Sequence, residues 1–394
     1  MQLPPARGLT LINADLGHGA GTLRVAQGRI ASVGENPEPG DLVVDLQGDR
    51  LLPGLINSHD HLQLNGFKRL KYRDHYRNVR EWIADVAAHV QTDRLLQMCS
   101  SMPREHRLLL GGMKNLLSGV TTVAHHDPLY ESLLDPDYPT RVVADYGWSH
   151  SLGVDGIDSV RDSYRRTPAA TPWIIHAAEG MDDEASMEFE HLEAMGCVGS
   201  NTLIVHGVAL NDAQKARLAA AAAGLIWCPS SNLHLFDETA DVAALIAQGR
   251  VALGSDSRLS GEADLFGELR IARAVCALDE STLEALVTIE GARLLRLHDR
   301  GVLRPGALAD LLILPPRLPL SAATRADVRL VMVGGVMRYG DEDYARVVAP
   351  AQQCVGIGVD GRPKVLDHRL AALLLHAGVK EDGVKISAAR WRAA

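Results

Sequence analysis

The sequence predicts an α/β protein: a (β/α) barrel of TIM type, distorted or short of one strand, with a small composite β-sandwich made from both chain ends. Three observations carry this expectation. Residues 1–52 and 306–394 have the texture of short strands, the chain between them alternates short apolar runs with helical stretches, and metal-ligating residue types recur where those apolar runs stop. The predicted division is therefore 1–52 for the first part of the sandwich, 53–305 for the barrel, and 306–394 for the second part with a C-terminal helix.

In order along the chain, LTLINADL, TLRVA, RIASVG and DLVVDL are strands, the middle two flanking a turn at Gln27-Gly28. The same texture returns after Leu308 with LADLLIL, VRLVMV and VMRYG, the last two meeting at Gly334-Gly335, a pair suited to the positive φ of a tight hairpin. A few short strands at either end bury little alone, so the ends are expected to share one unit. Between them, LLPGLI, VTTVAH, RVVADYGW, PWIIHA, NTLIVH, GLIWCP and RVALGS are the barrel strands. Helices separate them: Asn211 caps DAQKARLAAAAA before Gly224, DVAALIAQ stops at Gly249, and Ser281 with Glu284 forms a capping box. Between VTTVAHH and PWIIHA there is room for one clear strand where eight-stranded barrels place two. A final amphipathic helix, about Leu366 to Leu375, is expected to pack on the outside.

Composition excludes several classes. Of 394 residues, 46% are hydrophobic and 23% charged, close to globular averages, which argues against disorder and fibrous structure. A net charge of −9 with only short charge runs disfavours nucleic acid as a partner. The basic stretch KRLKYRDHYRNVR is read as a solvated helix face. No apolar run approaches the roughly 18 residues of a membrane span, and MQLPPARGLTLINADL lacks the layout of a secretory signal, so a cytoplasmic protein is expected. Five scattered cysteines without a CxxC pair are read as reduced and mostly buried.

His59 and His61 follow LLPGLINS as an HxH pair, and alternate residues of a strand point to one side, so both imidazoles can reach one ion. In a chain with 16 histidines the pair alone is weak evidence. His176 ends PWIIH with Glu179 three residues on, His206 ends NTLIVH, and Asp256 follows RVALGS. Separate strands each ending in His or Asp are hard to attribute to core packing, because unpartnered buried polar groups are costly. One shared divalent metal accounts for them. Nitrogen and oxygen ligands suit zinc first, and also iron, nickel or manganese.

The ordered motifs PGLINSHDHL, HAAEG, VHGVAL, CPSSNLHL and LGSDS, followed by GARLLRLHDRGVLRPGALADLLIL, resemble the amidohydrolase superfamily, in particular its branch of cytosine and guanine deaminases and triazine hydrolases. The resemblance runs from about Leu9 to Tyr339. It implies that His59, His61, His176 and Asp256 hold one metal, that Glu179 shuttles protons, and that His206 orients water or polarises the substrate. Binuclear relatives use a carbamylated lysine on a middle strand. The absence of lysine between Lys114 and Lys215 therefore favours a mononuclear centre.

The implied activity is hydrolytic deamination of an amino-substituted purine, pyrimidine, pterin or triazine-like ring, with a small heterocycle as the only expected partner apart from a homo-oligomeric copy. Opening of a cyclic amide and dechlorination share the same chemistry, and a non-catalytic metal-binding scaffold is the reading from another class. Candidate substrate contacts are His125 and His126 (with Asp127, either pocket or supporting hydrogen bonds), Trp148 (with His150, either ring stacking or core), Asn232 (contact or loop tie) and Arg258. Arg258 either offers its planar fork to an anionic substituent or pairs with Glu262 or Asp264.

Overall fold

The computed structural model describes residues 8–17, 19–349 and 353–390. Both chain ends contribute to one mixed sheet of eleven strands. Arg50–Pro53 pairs antiparallel with Leu311–Leu314, and this is the seam joining the two ends. The hairpin predicted at Gly334-Gly335 links Leu330–Val333 to Val336–Gly340, with φ of 60° and 75° at the two glycines. Alternate residues of these strands, among them Leu11, Leu23, Ile30, Leu311, Ile313 and Met332, build a core of their own.

The middle of the chain supplies parallel strands, labelled here β1 (Leu55–Asp60), β2 (Val120–His125), β3 (Arg141–Val142), β4 (Gly147–Ser151), β5 (Trp173–Ala177), β6 (Thr202–His206), β7 (Gly224–Trp227) and β8 (Val251–Leu253). They lie in chain order in two sheets, β1-β2-β3 and β4-β5-β6-β7-β8. One alternate set, including Ile56, Ala124, Ile174, Val205, Ile226 and Ala252, packs into a cluster among the strands. The opposite set, with Leu55, Val123, Ile175, Ile204 and Trp227, joins the large core. This two-sided burial explains why the strands read as nearly continuous apolar runs.

The sheets meet where the chain leaves β8: the N–H groups of Ser255 and Asp256 donate to the His59 carbonyl at 3.0 and 3.1 Å. Gly254 permits that approach, since a Cβ there would lie 2.6 Å from the His59 Cβ. At the other edge, RVVADYGW, expected as one strand, is broken into β3 and β4 with no ladder between them among the described residues. Parallel neighbours need a crossover of about a dozen residues or more, so a four-residue link cannot make β3 and β4 adjacent staves. They are one passage of chain that pairs with β2 at its start and β5 at its end. Side chains bridge the break: the Tyr146 hydroxyl bonds the carbonyls of His125 and Asp127, and His126 Nε2 lies 2.9 Å from the Ser149 carbonyl.

Several local expectations are corrected. The helix after Asn211 carries the predicted cap, as a full capping box with Gln214, but ends at Ala220 because Ala222 turns left-handed (φ 59°) before Gly224 opens β7. The cap near Ser281 is Asp279, whose carboxylate accepts from Thr282 N at 2.7 Å, while Glu284 is drawn away to Arg50. The basic stretch is a loop rather than a helix, its cations held by Asp85, Glu81 and Glu262. The C-terminal helix spans His368–Ala377 and buries Leu370, Ala371 and Leu374. All five cysteines are free, and among the described residues no helix is long and apolar enough to cross a membrane.

Candidate metal centre

The strand ends bring His59, His61, His126 and His176 together, with one ring nitrogen from each lying within 4.8 Å of the others. His176 Nε2 is 3.2 Å from His61 Nε2 and 3.3 Å from His59 Nε2. Second partners decide which nitrogens are bare. His61 Nδ1–H donates to Asp127 Oδ2 at 2.6 Å, and His176 Nδ1–H donates to the His150 carbonyl at 2.8 Å. With Nδ1–H so engaged, both rings aim Nε2 at one another, an arrangement that requires a cation, a proton or a metal ion, between them. A proton satisfies one pair only. A tetrahedral ion with metal–nitrogen bonds of about 2.1 Å separates its ligands by about 3.4 Å and satisfies all three. The donors present thus fit a divalent metal.

Asp256 Oδ1 lies 3.9 Å from Nε2 of both His59 and His61. Its carboxylate is aimed by Ser231 and Ser260 hydroxyls at 2.7 and 2.8 Å on Oδ2 and by the Ser257 N–H at 2.8 Å on Oδ1. Burial opposes its charge, but the nearby histidines and these hydrogen bonds hold its pKa below the ordinary value. His126 is the other neighbour. Its Nε2–H is spent on Ser149, leaving Nδ1 buried without a partner. Asp256 and His206 both take positive φ, 50° and 73°, as does Ala178 (53°) between His176 and Glu179. Non-glycine residues in that region cost energy and cluster where function fixes the backbone.

Burial drives His59, His126 and His176 well below the usual histidine range, and the neighbouring rings add to it. His61 is the exception. Burial works against its charge too, but the Asp127 carboxylate outweighs it and holds the ring at about 9. Beneath the histidines, Asp60 points to the opposite side of β1 and accepts from Asn57, Asn65 and Asn115. Lys114 Nζ lies 3.3 Å from Asp60 with both side chains fully buried, and donates to the Asp256 carbonyl at 3.1 Å. The sequence reading missed this layer. Asp60, sitting between the two histidines on the face they leave free, was the available signal.

Glu179 and His206 form a second pair, with Oε1 and Nε2 3.3 Å apart. His206 Nδ1–H donates to Asn232 Oδ1 at 2.8 Å, and Asn232 Nδ2 is fixed by Thr239, so His206 Nε2 is the bare nitrogen. Burial, reinforced by Asp256, raises the Glu179 carboxyl well above its ordinary value. A protonated Glu179 can then donate to His206 Nε2.

A cavity of about 600 Å³ opens on this pair and is lined by His61, His176, Glu179, His206 and Asp256, together with His150 and Gln63. None of the five expected substrate contacts lines it. His125 accepts from Leu62 N at 3.3 Å, and His126 belongs to the histidine cluster. Trp148 packs into the cluster among the strands, edge-on to His126 at 5.7 Å. Asn232 holds His206. Arg258 pairs with neither Glu262 nor Asp264: its fork closes on Glu381 at 2.9 and 2.6 Å.

Residues 152–338 match the amidohydrolase family. The chain is 25% identical over 401 residues to the 5'-deoxyadenosine deaminase of Methanothermobacter thermautotrophicus, covering 84% of this chain and 93% of that one. Against the 5-methylthioadenosine/S-adenosylhomocysteine deaminase of Desulfitobacterium hafniense it is 26% identical over 380 residues, covering 80% and 88%. In fold it is similar to an adenosine deaminase from Xanthomonas campestris with bound zinc, with a TM-score of 0.69, 19% identity and coverage of 85% and 94%.

Proposed function

We propose that this protein is an amidohydrolase, a mononuclear, metal-dependent deaminase of nitrogen heterocycles, its metal held by His59, His61, His176 and Asp256, with zinc the first expectation. The observation that carries the reading is the Glu179–His206 pair: a buried carboxyl kept protonated, three residues from a candidate ligand, on the wall of the cavity. The curated relatives, which are named as deaminases, support it. Asp256 is preferred to His126 as the fourth ligand because an anion offsets charge that a fourth neutral imidazole would leave buried. The two parallel sheets are read as a TIM-type barrel interrupted between β3 and β4, flanked by the composite β unit.

When bound, a divalent ion at this centre supplies the activation of water at neutral pH. The residues supply the rest. Glu179 gives its proton to the ring nitrogen beside the amino-bearing carbon, making that carbon receptive to the oxygen of water. His206 Nε2, oriented by Asn232, and the Asp256 carboxylate accept and hold protons released as the new C–O bond forms. One of these protons passes to Glu179, which gives it to the amino nitrogen, and the second, released from oxygen as the carbonyl forms, restores the protonated Glu179. The C–N bond breaks, ammonia leaves, and the ring carbon becomes a carbonyl.

Ammonia release from zinc-loaded protein across aminopurines, aminopyrimidines, aminopterins and aminotriazines tests the proposal. Release from one class, lost in Glu179→Gln, is the expected result. Tight metal binding without hydrolysis of any member would favour the scaffold reading, and chloride release or ring opening without ammonia would favour the other hydrolytic readings.

A further inference from the structure

Resting on the deaminase reading of the same site, we infer that the substrate is a neutral heterocycle carrying an apolar substituent, seated against the helix Val79–His89. The cavity has two unlike walls. One holds the histidines and carboxylates described above. The other is made by Leu64, Val79, Trp82, Ile83, Val86 and Leu259. Positions 79, 82, 83 and 86 fall at i, i+3, i+4 and i+7, so they share one helix face. No residue of this helix is fully buried: Val79, Trp82 and Val86 pack partly on two small apolar clusters, and with Ile83 they leave part of that face to the cavity. Trp82 presents carbon there, because its indole N–H is already donated to the Leu70 carbonyl at 2.9 Å.

This wall is tied to the reacting groups. The Val79 N–H donates to the carbonyl of Glu179 at 3.1 Å, and the Asn78 side chain caps the helix at Glu81 N. A ring placed at Glu179 therefore directs its far substituent to this helix face. A cavity of about 600 Å³ is of the size that takes ligands larger than a bare ring.

Charge complementarity excludes an anionic substituent. Among the described residues no lysine or arginine lines the cavity. Cations close in sequence to the lining residues are engaged elsewhere: Arg258 with Glu381, Arg77 with Glu81 and Arg80 with Glu184. A carboxylate or phosphate on the far substituent would be desolvated against Val79, Trp82, Ile83 and Val86 with no cation to pair with. A polyol such as a ribosyl group would leave hydroxyls unpaired against hydrocarbon.

The test uses zinc-loaded, full-length protein and aminopurine, aminopyrimidine and amino-s-triazine rings, each bearing a butyl, a dihydroxybutyl or a carboxypropyl group. Ammonia release is read as kcat/KM, and calorimetry reads binding whether or not turnover occurs. The butyl member should lead by roughly tenfold or more on any ring that binds. Val86→Lys should shift the preference towards the carboxylate, and the milder Val86→Thr should narrow the butyl advantage while preserving the fold. Equal or reversed preferences, or no binding by any ring, overturn the inference. A butyl preference in binding without ammonia release sinks the deaminase reading and leaves this inference standing. Ammonia release that favours the dihydroxybutyl or carboxypropyl member does the opposite.

Discussion

Arg258 and Glu381, 123 positions apart, are joined by two charge-assisted hydrogen bonds of 2.9 and 2.6 Å, and Glu381 also accepts from Arg325 at 2.7 Å. The loop leaving β8, which carries Asp256 and the cavity residues Ser257, Leu259 and Ser260, is thus fastened to the C-terminal part of the chain. Breaking a buried pair by removing one partner leaves an uncompensated charge and costs about 3–5 kcal/mol. Glu381→Ala, which leaves the Arg258 guanidinium without its carboxylate while Arg325 keeps Asp360, should destabilise the protein by about 3 kcal/mol in denaturant unfolding. Arg258→Met should cost less, because Arg325 still engages Glu381. Since Arg258 does not line the cavity, that variant should affect charged and neutral substrates alike. A selective loss on an anionic substrate would contradict the observed pairing.

Asp127 fixes the tautomer and orientation of His61, and residues in such supporting positions typically contribute 10–100-fold to metal affinity. Asp127→Asn should therefore weaken zinc binding by about that factor with little change in the fold. Competition against a chromophoric chelator measures the first effect and far-ultraviolet circular dichroism the second. Unchanged affinity would remove Asp127 from the centre.

Without metal, His61 is protonated up to about pH 9, whereas His59 and His176 are already neutral at pH 7. A metal must displace the His61 proton, so apparent affinity should rise about tenfold per pH unit below 9 and level off above it. Calorimetry in two buffers of different ionisation enthalpy should find about one proton released per metal near pH 7.5. No proton release would show that His61 is not a ligand.

Glu179→Gln keeps the shape and the hydrogen bond to His206 but cannot deliver a proton. Turnover should fall by at least roughly 100-fold with metal content intact, as expected for general acid-base catalysis. His206→Asn should likewise cost rate more than stability.

The fourth ligand can be decided directly. Asp256→Asn should lose the metal, while His126→Gln should retain it, with one strong anomalous peak among His59, His61, His176 and Asp256. Retention in Asp256→Asn with loss in His126→Gln would assign the position to His126. Two bridged metals about 4 Å apart would end the mononuclear reading.

What the sequence determined by itself is local in origin. Strand ends were legible because each apolar run stops at a polar residue, and the HxH pair because alternate strand residues face one way. The Gly334-Gly335 hairpin and the Asn211 cap follow from backbone preferences of single residues. The passage between β2 and β5 was legible only in that RVVADYGW is its one clear apolar run; the break of that run into β3 and β4 was not.

The tertiary structure decided which distant groups complete these signals. Asp127 reaches His61 over 66 residues, Asn232 reaches His206 over 26, and Glu381 reaches Arg258 over 123. No periodicity or cap signal encodes such pairs. Their energy comes from desolvating one charged or polar group against another, and that cost and its recovery exist only once the strands and the C-terminal segment have packed. The same holds for the apolar cavity wall. Val79, Trp82, Ile83 and Val86 read locally as an ordinary amphipathic helix, and the hydrogen bond from Val79 to Glu179 is what turns that face towards the site.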